Sequence, residues 1–394
     1  MATRRPPDRK RRIADAAAVL FRERGFRNVS VSDVAEAVGI TAPALYRHFR
    51  NKQALLAYVV AAGMDTMDAV GRREGERTDV DTLIDDAIAM MSERRGLATL
   101  WQRELRHLHD TEREELRHRL SSIASGYAGL IRAERPGLAP GDEDLLTWAM
   151  LGVWASMAAH RFTLPKRRQD ALLHRLCRTV VDCPLGTSGS ADAPAPTEVA
   201  ADGAAATAAF TGSRREQMLT EAIRLFDERG FQSVSTDDIG EAVGTSGPNV
   251  YKHFPSKLDL LSAGVTRGGE RREAGTAQAL ARATTPQQAL DNLLHAYVEF
   301  GMENRHLLGL LVSELDQLPE QQRKRSTQVQ RDFLALWVKI LDAAAPGLEQ
   351  TEAKIVVCAV FSVVDTICRN RRLLQRPDLG DRLVEIGQAL LLAR

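Results

Sequence analysis

The feature that most constrains this chain is that it repeats itself. Phe21 to Phe26 reads FRERGF and Phe226 to Phe231 reads FDERGF, an offset of 205 residues that then holds without a gap. Val29-Ser30 recurs as Val234-Ser235, Glu36-Ala37-Val38-Gly39 as Glu241-Ala242-Val243-Gly244, and Pro43 as Pro248. Tyr46, His48, Phe49, Lys52 and Leu55 recur as Tyr251, His253, Phe254, Lys257 and Leu260. An ungapped run of that length marks an internal duplication. Between the copies, Pro184 to Ser213 is rich in Ala, Gly, Pro, Ser and Thr and nearly free of positive charge. Such a segment cannot bury enough apolar surface to offset the entropy of ordering, so a flexible linker is expected there.

Each copy spells out the same local structure. Ile13, Ala16, Ala17, Leu20 and Phe21 share one helical face, and Gly25 follows where a helix cap is expected. Ser30 and Asp33 have the spacing of a reciprocal cap, and Ser235 with Asp238 repeats it. The short helix that follows, Val31 to Val38, ends at Gly39. Thr41 then reads as the cap of a third helix, Ala42 to Phe49, with Pro43 in its first turn, where a missing N–H is harmless. Asn51 begins a fourth helix at Lys52-Gln53-Ala54. Two short helices joined by a tight turn with glycine are a helix-turn-helix.

These residues resemble the TetR family of bacterial regulators. The shared pattern is F-x-x-x-G-F, a Ser/Thr cap, D-[VI]-[AG], A-V-G, P-x-[LV]-Y-[RK]-H-F and K-x-x-L-L, over roughly fifty residues in each half. The tandem arrangement is similar to the duplicated TetR repressors of actinobacterial lipid- and steroid-uptake (mammalian cell entry) operons. The resemblance implies an all-α fold of two tandem units, each a helix-turn-helix domain followed by a helical ligand and dimerisation domain. Its boundaries are then 1–56 and 57–183 for the first unit, 184–212 for the linker, and 213–261 and 262–394 for the second. Because both units share one chain, an intramolecular pseudo-dimer is the simplest expectation. A further homodimer is left open.

In a helix-turn-helix the later helix enters the major groove of double-stranded DNA with its N-terminal residues toward the bases. That places Thr41, Ala42, Ala44 and Arg47 near base edges in the first copy, and Ser246, Gly247, Asn249 and Lys252 in the second. Asn249 has the two-pronged chemistry for adenine, whereas Ala44 offers only apolar contact to a thymine methyl. The resemblance adds phosphate contacts for Tyr46, Tyr251, Lys52 and Lys257, with His48 and His253 beside them. Phe49 and Phe254 read as core. The bland alternative is that the Tyr packs between helices and the Lys is a solvated surface charge.

Charge separates the two copies. Met1 to Leu56 holds 12 Lys/Arg against 5 Asp/Glu, whereas Ser213 to Leu261 holds 6 against 8. The first copy also has a basic arm, Arg4, Arg5, Arg9, Lys10, Arg11 and Arg12, suited to phosphates or the minor groove; Arg214 and Arg215 are all that stands at the equivalent place in the second. Most of the unspecific affinity is therefore expected from the first module, and two unlike modules favour a non-palindromic operator. The rival reading is a ligand-binding regulator whose second helix-turn-helix no longer touches DNA.

The remainder of each half reads as amphipathic helices. The first has 81–95, 98–109, 112–134, 142–161 and 166–181, and the second 287–304, 307–318, 320–345, 351–371 and 380–393. Leu145, Leu146, Met150, Val153, Trp154 and Met157 suit a helix-bundle seam, as do Val356, Val357, Val360, Phe361, Val364 and Ile367. A ligand site is expected around Trp101, Arg103, Glu104 and His107, with Glu314 at the matching place in the second half. The alternative is that Trp101 is core and Glu104 forms a structural ion pair. Resemblance suggests a small apolar effector, lipid-, steroid- or acyl-CoA-like, and a repressor that it relieves.

Other classes fit poorly. There is no Gly-rich phosphate loop, HExxH or GxSxG, and Cys177, Cys183, Cys358 and Cys368 have no metal-ligand spacing with His. No enzyme and no cofactor are expected; His107, His109 and His118 read as surface residues. The cysteines suit buried thiols in a reducing cytoplasm, with a Cys177–Cys183 pair as the lesser alternative. No apolar run reaches membrane-spanning length and the basic N-terminus leads into no apolar segment, so neither a membrane partner nor a secretory signal is expected. The net charge of +1 argues against unselective coating of nucleic acid.

Overall fold

The computed structural model describes residues 9–70, 79–93, 108–159, 162–186 and 213–393. Among these there are 17 α-helices and no strand. Arg4, Arg5, Trp101, Arg103, Glu104 and His107 lie outside the described residues, as do the helix expected at 98–109, all but its end, and nearly all of the linker.

The chain divides into two compact units, and the division does not fall at the linker. One unit is Met1–Thr147 with Met157–Arg161; the other is Trp148–Ser156 with Phe162–Arg394. In the first unit α1 (Arg9–Arg24), α2 (Val31–Ala37) and α3 (Ala42–Tyr46) precede the long α4 (Lys52–Ala69). Ile13, Ala17 and Phe21 of α1 are buried, as are Val34, Leu45, Phe49, Leu55 and Leu56, and α1 packs on α2 and α4. α5 (Val80–Glu93) buries Leu83, Ile84, Ala87 and Ile88, and α6 (Asp110–Glu134) buries Ile123, Tyr127 and Ile131. Arg119 of α6 pairs with Asp65 of α4, and the Tyr127 hydroxyl donates to the Met67 carbonyl, so polar bonds as well as apolar contact hold α6 on α4.

α7 (Asp142–Ala159) belongs to both units, and α8 (Lys166–Asp182) lies wholly in the second. There it packs with the duplicate set: α9 (Arg214–Arg229), α10 (Thr236–Ala242), α11 (Gly247–Tyr251), α12 (Lys257–Ala281), α13 (Pro286–Glu303), α14 (Arg305–Ser313), α15 (Glu320–Ala344), α16 (Gln350–Cys368) and α17 (Leu379–Leu391). Gly152 of α7 faces Val363 of α16 so closely that an added Cβ would sit 2.7 Å from the Val363 Cα. Arg168 of α8 reaches Glu349 at 2.7 Å and Glu352 at 3.0 Å, at the start of α16. The last helices of the first half thus pack on the last helices of the second. The expected seam residues Val153, Trp154, Val356, Val357, Val360, Val364 and Ile367 are all buried. Phe361 is the exception and is half-buried; its ring lies against those of Tyr297, Phe333 and Trp337. All four cysteines are free thiols, so Cys177 and Cys183 form no bridge.

Candidate nucleic-acid interface

The duplication survives as duplicated contacts. Phe21 and Phe26 meet edge to face at 5.1 Å, and Phe226 and Phe231 do so at 5.2 Å. Ser30 and Asp33 form the expected reciprocal cap at the start of α2, and Ser235 and Asp238 form it at α10. These bonds hold both carboxyls below the usual aspartate range, since Ser30 and Ser235 donate to the ionised form. Gly39 and Gly244 supply the turn into the next helix at φ 70° and 67°, a left-handed backbone that a side chain would strain. α3 and α11 are short, and each ends at its Tyr rather than at the Phe expected from sequence.

The frame places the Tyr side chains alike: Tyr46 and Tyr251 are each 52% exposed, among the few large apolar side chains left open to solvent. A packing role for the ring would have buried it. Thr41 and Ser246 are exposed and use no side-chain oxygen to cap their helices. Arg47, Lys252 and His253 are also exposed, and His48 and Ala44 are half-buried. Asn249 is half-buried, and its Nδ2 donates to Thr245 Oγ1 at 3.0 Å. That bond fixes which end of the amide faces away, and one N–H and the carbonyl oxygen are left for a base edge.

Two of the expected positions have further contacts inside the module. Gly247 is buried, because the Asp237 carboxylate lies where a Cβ would be, with Oδ1 only 1.9 Å from that point. Its neighbour there is an acid. Lys52 and Lys257 behave as clamps in this structure. Lys257 Nζ donates to the carbonyls of Phe231 at 2.9 Å and Val234 at 2.8 Å and sits 4.5 Å from the Phe231 ring. Lys52 repeats the motif on Arg27 O at 3.4 Å and the Phe26 ring at 4.3 Å. An ammonium bound in this way locks the turn before the second helix to the fourth.

The two modules differ in how their cations are used. Arg11, Arg12 and Arg47 are exposed in the first. In the second, Arg214 donates to the Gly244 carbonyl at 3.1 Å, Arg224 pairs with Glu221 and Glu228, and Arg229 lies 3.9 Å from Asp238. Arg215 lies over the Phe254 ring at 4.4 Å, as its counterpart Lys10 lies over Phe49 at 5.4 Å. Arg22 and Arg50 of the first module are paired as well, with Glu23 at 3.2 Å and Glu112 at 3.1 Å, so the modules differ in the exposed Arg11, Arg12 and Arg47 rather than in pairing as such.

Sequence reasoning missed how the second module is tied to its own regulatory helices. Asp227 of α9 receives His306 Nδ1 at 2.9 Å and Arg369 at 3.5 Å, and it occupies the space left by Gly309. Glu314, expected to touch a ligand, is only 1% exposed, and its Oε1 accepts the Phe231 N–H at 3.2 Å. Its carboxylate holds the end of α14 to the turn after α9. The first half has Arg22 where the second has Asp227, and Arg22 pairs with its neighbour Glu23 at the surface.

Comparison with known proteins agrees with this geometry. Residues 13–59 and 218–263 match the model for bacterial regulatory proteins of the tetR family, and 283–369 match that for the tetracyclin repressor-like C-terminal domain. The HTH-type transcriptional activator FasR of Mycolicibacterium smegmatis is 29% identical over 150 residues, 38% of this chain and 68% of that protein. The HTH-type transcriptional repressor KstR2 of Rhodococcus jostii is 28% identical over 110 residues, 27% of this chain and 54% of that one. A TetR-family transcriptional regulator from Bordetella parapertussis aligns in structure with a TM-score of 0.41 at 22% identity, over 45% of this chain and 95% of that chain.

Proposed function

The chain belongs to the tetR family of bacterial regulatory proteins as a DNA-binding transcriptional regulator, and on that premise we propose that its two modules read one non-palindromic operator with unequal shares. The observation that carries this reading is the pair of recognition helices, alike in frame and unlike in what they expose. Tyr46 and Tyr251 are equally open. Beside them stand Thr41, Ala44 and Arg47 in one module and Ser246, Asn249 and Lys252 in the other. The first module supplies most of the phosphate contact through Arg4, Arg5, Arg11, Arg12 and Arg47. The second adds an A·T preference through Asn249, oriented by Thr245. The packing of α7 and α8 on α16 and α17 supports an intramolecular pseudo-dimer, in which the fused halves do what two subunits do elsewhere.

The rival, a second module silent on DNA, has its own support in Asp237 beside Gly247 and in arginines committed to internal pairs. One experiment separates the two. Operator affinity is measured for Arg47→Ala, Asn249→Ala and Tyr251→Phe, each in the full chain. A bidentate base contact is worth about 1–3 kcal/mol of discrimination, so Asn249→Ala should weaken binding roughly 5- to 150-fold and relax preference at one base pair. Wild-type affinity for both Asn249→Ala and Tyr251→Phe would establish the silent module.

The regulator is read as a repressor released by a small apolar effector. Asp227, His306, Arg369 and Glu314 join the α9 end of the second module to α14 and α16, so a ligand that moves those helices also moves the module. The printed names of the relatives divide between activator and repressor; a promoter fusion that rises on deletion of the gene identifies the repressor.

A further inference from the structure

The two modules differ in what stands at the first residue of the recognition helix. The first copy has Ser32 and Ala42 where the second has Asp237 and Gly247. In the second, the Asp237 carboxylate fills the place of the missing methyl. A Cβ on Gly247 would lie 1.9 Å from its Oδ1, 2.8 Å from its Cγ and 3.2 Å from its Cα. An acid of α10 thus stands where the first copy carries a side chain of the recognition helix itself. Gly247 is buried, whereas Asp237 is exposed. Among the described residues the Asp237 carboxylate has no hydrogen-bond or ion-pair partner, unlike its neighbour Asp238, which is committed to the Ser235 cap. A second contact joins the same two helices: Thr236 Oγ1 donates to the Tyr251 hydroxyl at 3.3 Å. Val31, at the matching place in the first copy, has no hydroxyl to offer Tyr46. The start of α10 is therefore tied to both ends of α11, and it presents an unpaired acid there.

In a helix-turn-helix the first residues of the later helix face base edges, so a carboxylate standing on Gly247 is carried to the major groove. An ionised carboxylate accepts and cannot donate. The groove offers it two donors, the cytosine N4 and adenine N6 amino groups, and adenine sets the acceptor N7 beside its donor. Guanine and thymine present acceptors, which repel it. We propose that Asp237 is a base-reading residue of the second module and selects cytosine at one position of the half-site by accepting from the N4 amino group. The assignment rests on the two-module reading of the operator above and deepens it, since the acid that speaks for a silent module becomes a source of selectivity. Ser32 can donate or accept and Ala42 has only a methyl, so the first module lacks this choice.

The test starts from the fragment that the full chain selects from genomic DNA, with each base pair of the second half-site changed in turn. Wild type should prefer cytosine over guanine or thymine at one position by at least about fivefold, the lower bound for a good base contact. Asp237→Ser, which installs the residue of the first copy, should remove that preference and leave the adenine preference of Asn249 in place. Asn249→Ala should do the reverse. Asp237→Asn keeps the shape beside Gly247 but can also donate, so it should keep cytosine and admit guanine or thymine as well. Unchanged preferences in Asp237→Ser would overturn the assignment. So would affinity raised equally for every fragment, which would leave the carboxylate as a source of phosphate repulsion alone. If Asp237→Ser does not fold, Asp237→Asn decides by whether discrimination against guanine and thymine falls. An adenine preference without a cytosine one overturns this assignment only, whereas indifference to every change in the second half-site overturns it together with the two-module reading.

Discussion

Replacing Asp365 by Asn should change the pH dependence of stability in a calculable way. Burial raises the Asp365 carboxyl from the usual 3.8 to about 7, against the opposing pull of the Tyr297 hydroxyl, Arg369 and Arg272. The groups around it are Arg272 on α12, Tyr297 on α13, and Cys368 and Arg369 on α16. A carboxyl raised in the folded state holds its proton there while the unfolded chain has lost it. Its contribution is therefore fully present below the unfolded value and disappears as pH rises through the folded one. Asn keeps the shape and an acceptor for the Tyr297 O–H but cannot ionise. At about 1.36 kcal/mol per unit, the interval from pH 5 to pH 8 spans roughly two effective units, so wild type should lose about 3 kcal/mol relative to Asp365→Asn. Urea unfolding of both proteins at pH 5, 6, 7 and 8, followed by tryptophan fluorescence, gives that difference directly. A gap between the two that stays constant with pH would refute the buried, proton-holding carboxyl.

Three further experiments test the frame. Lys257→Met removes two charge-assisted bonds to carbonyls at 2.9 and 2.8 Å and should destabilise the second unit by about 2 kcal/mol, whereas Lys252→Met at the exposed neighbouring surface should leave the urea midpoint unchanged. Gly309→Ala would drive a Cβ into the Asp227 carboxylate, 1.8 Å away. It should lower the melting temperature and displace the His306 imidazole from Asp227, seen as a shift in the His306 NMR resonances. Ser30→Ala and Ser235→Ala each remove one half of a reciprocal cap and should each cost about 1 kcal/mol in urea unfolding; a loss confined to one of them would mean that the duplicated caps are not equivalent.

Much of this was legible in the residues because the information is local. Ser and Asp three apart make a cap wherever they stand before an apolar run, and Gly39 and Gly244 mark a turn by their own backbone freedom. The repeat multiplied each such signal by two. What was not legible depends on contacts far apart in sequence. Asp227 meets His306 and Arg369, and Tyr297 meets Asp365, only once the helices pack. A trace did exist: Asp365 is a lone carboxylate in the apolar run from Ile355 to Ile367, a position that burial makes costly unless something answers it. The burial of Gly247 has a similar trace. Where the first copy has Ser32 and Ala42, the second has Asp237 and Gly247, a larger side chain matched by a missing Cβ.

The most direct measurement is a hydroxyl-radical footprint of the full chain on the fragment it selects from genomic DNA at moderate salt. Two unlike half-sites in successive major grooves should be protected, the stronger one lost with Arg47→Ala and the weaker one with Asn249→Ala. No preference for any genomic fragment over scrambled competitor, or a perfect palindrome protected equally on both sides, would contradict a single chain that reads DNA with two different hands.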